Sequence, residues 1–195
     1  MDLPLVETAN KDQKQKVLQI ATLAFSADPF MRWVLPTAED FLLKFPAMID
    51  LYCCEESIKE GSTYITNQGG TAIWLSPESD SNEQAVLGWI DKNIEQRIKE
   101  EFLQVLAAMD EYHPHDTPCW YLAVIGVDNA YQGQGLGAAL MKHATEKLDD
   151  AKTLGYLESS NPKNVSLYQR HGFEVMGEIQ IASSPIITPM VRYPR

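Results

Sequence analysis

The sequence contains few cysteines and no long apolar run. Its three cysteines are the adjacent Cys53 and Cys54 and the distant Cys119. They form neither an even disulfide framework nor a metal-ligand spacing, which argues against a disulfide-stabilised secreted fold and predicts no metal site. No stretch approaches the roughly 18 apolar residues that a membrane span requires, and the first residues lack the basic and apolar regions of a secretory signal. We therefore expect a cytoplasmic protein with no membrane partner.

Basic residues are also scarce. The chain has 16 lysines and arginines against 27 aspartates and glutamates, which gives a net charge of −11. Such a surface repels the phosphates of nucleic acids, so we expect no nucleic-acid partner and a mild attraction for cationic substrates. With 195 residues, of which 45% are hydrophobic and 22% charged, the composition is typical of a single globular domain over residues 1–195.

The most informative segment is an apolar strand followed by a glycine-rich turn and a helix. Residues 120–127 (WYLAVIGV) are too few for an ordinary helix and rich in aromatic and β-branched side chains, so they predict a buried strand. The turn at residues 132–137 (QGQGLG) leads into strong helix formers at 138–148. A helix start offers unpaired backbone N–H groups, and glycines let an anion approach them. An anionic ligand is therefore predicted near residues 133–138.

The other segments predict a mixture of helices and strands. Strands are predicted at 3–8, at 63–66 and 71–76 as a hairpin, at 156–159, at 173–181 and at 186–191. Helices are predicted from Lys11, capped by Asn10, to about Asp28, over 38–60 with a kink or break at Pro46, over 83–110 as one or two helices, and over 161–170.

The glycine turn also fits a dinucleotide-binding pattern. Gly133, Gly135 and Ala138 match G-x-G-x-x-A, and Glu158 lies about 20 residues further on, where a ribose-binding carboxylate would stand. However, only about 60 residues remain after Gly137, and they are predicted to run strand, helix, strand, strand. That order is not a repeating βα pattern, which disfavours a dinucleotide fold.

A second pattern accounts for more of the chain. Gln132, Gly135 and Gly137 after a strand resemble the acyl-CoA loop of the Gcn5-related N-acetyltransferase (GNAT) superfamily, in which arginine or glutamine takes the first position. Asn164 and Tyr168, followed by Gly172-Phe173, resemble its second motif. Residues 118–137, 157–164 and 168–173, with Asp28-Pro29-Phe30 and Trp33, are most similar to the puromycin N-acetyltransferase branch. Asn129 departs from the superfamily, which often has proline there, and this concerns the rigidity of the turn.

The resemblance implies both a fold and an activity. The fold is the GNAT fold of the α/β class, a mixed, mostly antiparallel, twisted sheet of about seven strands, flanked by helices and splayed between the fourth and fifth strands. The activity is transfer of an acetyl group from acetyl-CoA to a primary amine of a small molecule, directly in a ternary complex and without a metal. The protein is expected to be a monomer or a homodimer.

Site residues follow from the resemblance and from the chemistry of coenzyme A. Backbone N–H groups after Gln132 suit the pyrophosphate, and the amides of the pantetheine arm can pair with the central strand like an added strand. Asn164 lies four residues before Tyr168 and so shares its helix face. The predicted coenzyme-binding residues are Ile125, Gly126, Val127, Gln132, Gly133, Gln134, Gly135, Leu136, Gly137, Ala138 and Asn164, with the Val127 N–H facing the thioester oxygen.

Two side chains are candidates for proton transfer. Tyr168 is the expected general acid, because a phenol remains protonated at neutral pH and can protonate a leaving thiolate. Glu158 is the candidate general base, directly or through water, and a histidine of the loop 113–115 is an alternative. Either residue could instead have a purely structural role: Tyr168 could be a half-buried helix aromatic, and Glu158 could be a salt-bridge partner or a carboxylate at the end of a strand.

The acceptor site is predicted to be aromatic. Phe30, Trp33 and Tyr121, with Phe25, would line a pocket for a small amine with an apolar or aromatic body, although Phe30 and Trp33 could equally fill the core. The alternative function is a non-catalytic acyl-CoA sensor or interaction module. The presence of both Tyr168 and Glu158 favours catalysis.

Overall fold

The computed structural model describes residues 4–79 and 83–195. The strands are β1 (Val6–Thr8), β2 (Thr63–Thr66), β3 (Gly70–Leu75), β4 (Cys119–Val127), β5 (Leu154–Ser159), β6 (Glu174–Val175) and β7 (Thr188–Arg192). The helices are α1 (Lys14–Ala24), α2 (Pro29–Val34), α3 (Ala38–Ile49), α4 (Glu55–Glu60), α5 (Glu83–Asn93), α6 (Gln96–Tyr112), α7 (Leu136–Ala151) and α8 (Val165–Arg170). None of the helices in the described ranges is long and apolar enough to cross a membrane.

All seven strands belong to one sheet, in the order β1-β2-β3-β4-β5-β7-β6. Neighbouring strands are antiparallel except for β4 and β5, which are parallel. These two pair only from Cys119 with Leu154 to Tyr121 with Tyr156, after which β5 continues alongside β7. The predicted mixed, mostly antiparallel sheet of about seven strands, splayed between its fourth and fifth strands, is confirmed.

Strand β4 carries a bulge close to this divergence. Ile73 of β3 pairs with Val124, whereas Trp74 pairs with Leu122, so Ala123 is an extra residue on β4. A bulge turns two successive side chains towards one face of a sheet. Ala123 and Val124 accordingly both pack with the core under helices α1–α6, and Leu122 packs with the core on the other face.

Helices cover both faces of the sheet with separate apolar cores. One core joins α1–α6 to side chains such as Ile73 and Val124, and the other joins α7 and α8 to Trp74 and Leu122. Helix α1 approaches β4 so closely that a Cβ on Gly126 would lie 2.5 Å from the Cβ of Ala24. Gly126 is therefore required for this helix to pack on the central strand.

The helical region 38–60 differs from its prediction. Helix α3 continues through Pro46 to Ile49, and a π-helical turn at Asp50–Cys54 connects it to α4. The chain is thus not broken at Pro46. A π turn accommodates an extra residue and changes which side chains face inward. Here Tyr52 is partly buried and lines a cavity described below, whereas Leu51 lines the same cavity and is 39% exposed.

The ends of several other helices and strands also differ from their predicted positions. The first helical segment begins with a 3-10 turn at Lys11–Gln13, capped by Asn10 as predicted, but it ends at Ala24, because Asp28 caps a separate helix, α2. The segment 83–110 forms two helices, and the first strand covers only Val6–Thr8, with residue 3 outside the described residues. The strand predicted at 173–181 is reduced to β6 at the sheet edge plus one bridge between Ile179 and Ile187.

Candidate active site

The glycine turn leaves the start of α7 open. Gly133 and Gly135 have φ angles of 77° and 81°, which side chains rarely adopt, and an added Cβ at either would meet nothing within 4 Å. These glycines are therefore required by the backbone conformation and not by packing. Gly135 is the N-cap of α7 and has no side chain to bond the first N–H groups of the helix. This geometry fits a bound pyrophosphate.

Gln132 secures the turn instead of capping the helix. Its Nε2 donates to the Oδ1 of Asn129 at 2.7 Å, and the Nδ2 of Asn129 donates to the carbonyl oxygen of Leu23 at 3.1 Å. The asparagine that departs from the superfamily pattern thus attaches the turn to the end of α1.

The gap between β4 and β5 begins after Tyr121 and runs along the rest of β4 towards this turn. Beyond Tyr121, the edge of β4 that faces β5 has no strand partner among the described residues, which leaves it free to pair with an extended chain. A cavity of about 220 Å³ lies at the gap. Its lining is mainly apolar, with Phe25, Phe30, Phe45, Met48, Trp89, Phe102 and Ile125, and includes Tyr121, Glu158, Ser160, Asn164 and Tyr168.

Tyr168 and Asn164 stand together on the β5 side of this cavity. Tyr168 is 5% exposed, and burial, followed by the charge of Asp28, raises the pKa of its phenol. It is therefore protonated at neutral pH, as a general acid must be. Asn164 is exposed and lies immediately before α8, four residues from Tyr168.

The pattern of residue types did not reveal the role of Asp28. This carboxyl is 6% exposed, accepts the Met31 N–H at 3.0 Å as the cap of α2, and accepts the Ser160 hydroxyl at 2.7 Å. Burial raises its pKa. Asp28 thereby joins α2, which carries Phe30, to the loop that follows Glu158. The available signal was an aspartate directly before a proline, a typical helix start.

Glu158 projects from β5 into the same cavity. Burial raises the pKa of its carboxyl to about 7, and the phenols of Tyr121 and Tyr156 lower it by less. Its Oε2 atom and the Tyr156 hydroxyl are buried and make no well-formed hydrogen bond among the described residues, so the two phenols offset the effect of burial only in part. A carboxyl with a pKa near the working pH is suited to accept a proton from an amine.

Two tyrosines of this region were not predicted as site residues. Tyr156 is fully buried, with its ring centroid 6.0 Å from that of Tyr121 and 4.9 Å from that of His113. Tyr52 belongs to the π turn at Asp50–Cys54, and its side chain lines the cavity of about 220 Å³. A π turn has no simple sequence signature, so its inward-facing residue could not be predicted.

A second cavity, of about 330 Å³, adjoins the first and shares with it the lining residues Tyr52, Leu106, Met109, Tyr121 and Glu158. His113 lines it, and burial, with a smaller contribution from His115, lowers the pKa of His113, so its imidazole is neutral at pH 7. The Cys119 Sγ lies 3.6 Å from the His113 Nε2, and burial raises the pKa of this thiol. Within the described ranges no group of three or more His, Cys, Asp or Glu side chains could hold a metal ion.

The predicted acceptor residues have different positions. Phe30 and Tyr121 line the first cavity. Trp33 is not among its lining residues: its ring is tilted against that of Phe30, with centroids 5.6 Å apart, and its Nε1 donates to the Ser183 hydroxyl at 3.1 Å. Val127, at the far end of β4, is paired with Gly70.

Comparison with known proteins identifies related sequences. Residues 82–173 match the model of the Acetyltransferase (GNAT) family. A mycothiol acetyltransferase of Mycolicibacterium vanbaalenii is 33% identical over 110 residues, which cover 46% of this chain and 36% of that protein. An uncharacterised N-acetyltransferase of Schizosaccharomyces pombe is 24% identical over 200 residues, covering 94% of this chain and 81% of that protein.

Solved structures share the fold. A structure described as histone acetyltransferase HPA2 and related acetyltransferase, from Corynebacterium glutamicum, has a TM-score of 0.67 at 23% identity and covers 100% of this chain and 98% of that one. The likeness extends over the whole architecture. The matching region nevertheless spans only about a third of the length of the mycothiol acetyltransferase.

Proposed function

We propose that this chain, which carries a domain of the GNAT acetyltransferase superfamily, transfers an acetyl group from acetyl-CoA to the primary amine of a small, partly apolar molecule, directly in a ternary complex. One observation carries the proposal. Strands β4 and β5 separate after Tyr121, β4 then leads through the glycine turn to an open helix start, and Tyr168 and Glu158 both line the cavity at the gap. Side chains that could serve as acid and base thus border one cavity.

The chain offers a continuous set of contacts for the coenzyme. Acetyl-CoA would supply the acetyl group as a reactive thioester. Backbone N–H groups of residues 133–138 would hold its pyrophosphate, the free edge of β4 at residues 125–127 would pair with its extended arm, and Asn164 would bond that arm from the other side.

Two residues would move the protons. The Glu158 carboxylate would accept a proton from the acceptor nitrogen, which makes the nitrogen nucleophilic. The Tyr168 hydroxyl would donate a proton to the departing sulfur. Burial supports both roles, because it keeps the phenol protonated and brings the carboxyl pKa to about 7. The histidine alternative has less support, since His113 lines the second cavity and not the first.

The first cavity supports an acceptor with an apolar body. Aromatic and aliphatic side chains form most of its lining, and Glu158 is its one charged lining residue among those described. An amine could bury its hydrocarbon part against Phe30 and Phe102 and direct its nitrogen to Glu158. Membership of the puromycin branch, a monomeric or homodimeric state and a cytoplasmic location remain predictions. The three unpaired cysteines support the last of these.

Ligand-induced stabilisation tests the proposal. The melting temperature would be measured alone and with saturating CoA, acetyl-CoA or NAD. A ligand at about 100 times its dissociation constant adds roughly 2.7 kcal/mol. We expect a rise with both CoA forms and none with NAD, followed by release of CoA thiol with at least one member of a panel of aliphatic and aromatic amines. A rise with NAD alone would refute the proposal.

One variant distinguishes a catalyst from a non-catalytic acyl-CoA sensor. Tyr168→Phe removes the proton donor and keeps the aromatic ring. A catalyst should lose transfer rate and retain its affinity for CoA. CoA binding without thiol release from the unmodified protein, across the whole amine panel, would favour the sensor.

A further inference from the structure

Trp33 contacts two rings of the first cavity without lining the cavity itself. Phe30 and Phe102 both line it and stack on each other, with centroids 5.9 Å apart. The Trp33 ring lies 5.6 Å from the Phe30 ring and 6.4 Å from the Phe102 ring. Phe30 belongs to α2 and Phe102 to α6, so the indole supports two rings that come from separate helices.

One serine fixes the position of this indole. The Ser183 hydroxyl accepts the Trp33 Nε1–H at 3.1 Å and donates to the Glu101 Oε2 at 2.6 Å. The Ser183 backbone N–H donates to the same Oε2 at 3.1 Å. These bonds join three distant segments of the chain, since Ser183 lies 150 residues from Trp33 and 82 from Glu101. We refer to Trp33, Ser183 and Glu101 as the clamp.

The turn that carries Ser183 has a demanding backbone conformation. Ser184 closes the turn: its N–H donates to the Ile181 carbonyl oxygen at 2.8 Å, and its hydroxyl accepts the Ile181 N–H at 2.9 Å. Between them, Ala182 has a φ of 46°, in the left-handed region that favours glycine. A residue keeps such a conformation only where the surrounding contacts impose it, and these positions cluster at ligand clamps and active sites. The position of Ser183 is therefore imposed by the contacts around it.

The clamp is suited to shaping the cavity more than to stabilising the fold. Ser183 is exposed, and water competes for exposed hydrogen bonds, which therefore add little to stability. The hydroxyl of Ser183, followed by its backbone N–H, lowers the pKa of the Glu101 carboxyl, so the carboxylate makes these bonds at neutral pH. Bonds to a charged acceptor are stronger than neutral ones, which keeps the indole against the two phenylalanines.

The volume of the cavity limits what it can hold. The first cavity measures about 220 Å³ and, under the proposed function, receives the thioester as well as the acceptor. An apolar cavity of about 150 Å³ is sufficient for benzene. The space therefore suits an amine with one ring, and a second fused ring would have to displace Phe30 or Phe102. The clamp opposes that displacement.

We propose that the clamp of Trp33, Ser183 and Glu101 determines acceptor specificity: it fixes the wall formed by Phe30 and Phe102 and restricts the acceptor to amines with an apolar body no larger than about one ring. This inference rests on the proposed function and specifies the size class of its acceptor. The three clamp residues are positioning residues, because they act through the two phenylalanines and do not line the cavity.

A pair of variants at Ser183 tests the clamp. Ser183→Ala removes the hydroxyl that holds the indole, and Ser183→Thr keeps a hydroxyl and should preserve the specificity. Thiol release would be measured with phenethylamine, which has one ring, and with naphthylethylamine, which has two. The unmodified protein should favour phenethylamine in kcat/KM. In Ser183→Ala this preference should fall about fivefold or more, as expected when hydrogen bonds that fix a binding wall are lost.

The change should appear in one kinetic constant. Ser183→Ala should raise the KM for phenethylamine and leave its kcat within about twofold, because the wall contacts the acceptor equally before and during the reaction. The KM for acetyl-CoA should not change. Glu101→Ala provides an independent variant with the same expected result. Its matched control is Glu100→Ala, the same change at the neighbouring exposed residue of α6, which should keep the unmodified specificity.

Four outcomes would overturn the inference. A preference of the unmodified protein for the two-ring amine would refute the size limit. An unchanged preference in both Ser183→Ala and Glu101→Ala would refute the role of the clamp. An equal loss with both amines, accompanied by a raised KM for acetyl-CoA, would indicate a general structural effect. If the unmodified protein transfers no acetyl group to any amine, the proposed function fails as well, whereas an active protein with unaltered variants refutes the clamp alone.

Discussion

Replacing Glu158 by glutamine should stabilise the protein at pH 8 while it abolishes most of the activity. The folded-state pKa of this carboxyl is about 7, against an ordinary value of 4.5. A carboxyl whose pKa is raised by folding binds more protons in the folded than in the unfolded state between these two values. Stability is therefore lost as the pH rises from 4.5 to 7 and stays reduced above 7.

The magnitude follows from the same shift. One pKa unit corresponds to about 1.4 kcal/mol, so the buried carboxylate costs about 3 kcal/mol of unfolding free energy at pH 8 and less than about 1 kcal/mol at pH 5. Glu158→Gln removes this cost, and the difference between the two pH values should be about 2–3 kcal/mol. For a domain of this size, that corresponds to roughly 5–10 °C in melting temperature.

Urea unfolding of the unmodified protein and of Glu158→Gln at pH 5 and pH 8 measures this difference. Because the cost of burying the glutamine amide is the same at both pH values, it cancels in the comparison. Glu174→Gln, at an exposed position of β6, makes the same change of charge without burial and should show no such pH dependence. An equal stability change at both pH values would refute the raised pKa. Acetyl transfer by Glu158→Gln should fall about 10²- to 10⁴-fold, and unimpaired transfer would refute its role as the base.

Three further predictions concern single side chains. Tyr168→Phe should lower the rate of thiol release about 10²-fold or more and leave the dissociation constant of CoA, measured calorimetrically, within about twofold. Gly135→Val should remove the thermal shift with CoA, because valine is strained at a φ of 81°, whereas Gly88→Ala in α5, where an added Cβ has open space, should leave that shift intact. Asp149→Asn should lower the free energy of unfolding, measured in urea, by about 3 kcal/mol. The reason is that the guanidinium of Arg192, a residue only 4% exposed, loses its charged partner at 2.7 Å. A loss below about 1 kcal/mol would show that the hydrogen bond to the His171 carbonyl is enough to stabilise the buried guanidinium.

Local features were largely predictable from the sequence. The strand β4, the glycine turn and the start of α7 lie within about 30 consecutive residues, and each depends on short-range chemistry: apolar runs, glycine conformations and helix formers. The Asn10 cap is equally local, since its side chain accepts the N–H of Asp12 two residues away. The spacing of Asn164 and Tyr168 similarly placed both beside one cavity.

Long-range contacts decided the rest of the site. The Asp28–Ser160 hydrogen bond joins residues 132 apart in sequence, and the position of Trp33 depends on Ser183, 150 residues away. No local pattern encodes such pairs. The inward position of Tyr52 depends on a π turn that follows Pro46, and sequence analysis had placed the irregularity at the proline itself.

The sequence by itself therefore determined which groups are candidates for the proposed acetyl transfer: the backbone of a glycine turn, a phenol, and a carboxyl at the end of a strand. Only the tertiary structure decided what those groups can do. The pKa of Glu158 is about 7 because surrounding side chains from distant segments exclude water from it, and it borders two cavities because β4 and β5 separate at Tyr121. Desolvation depends on the whole packed fold, so no spacing of residues along the chain could have revealed it.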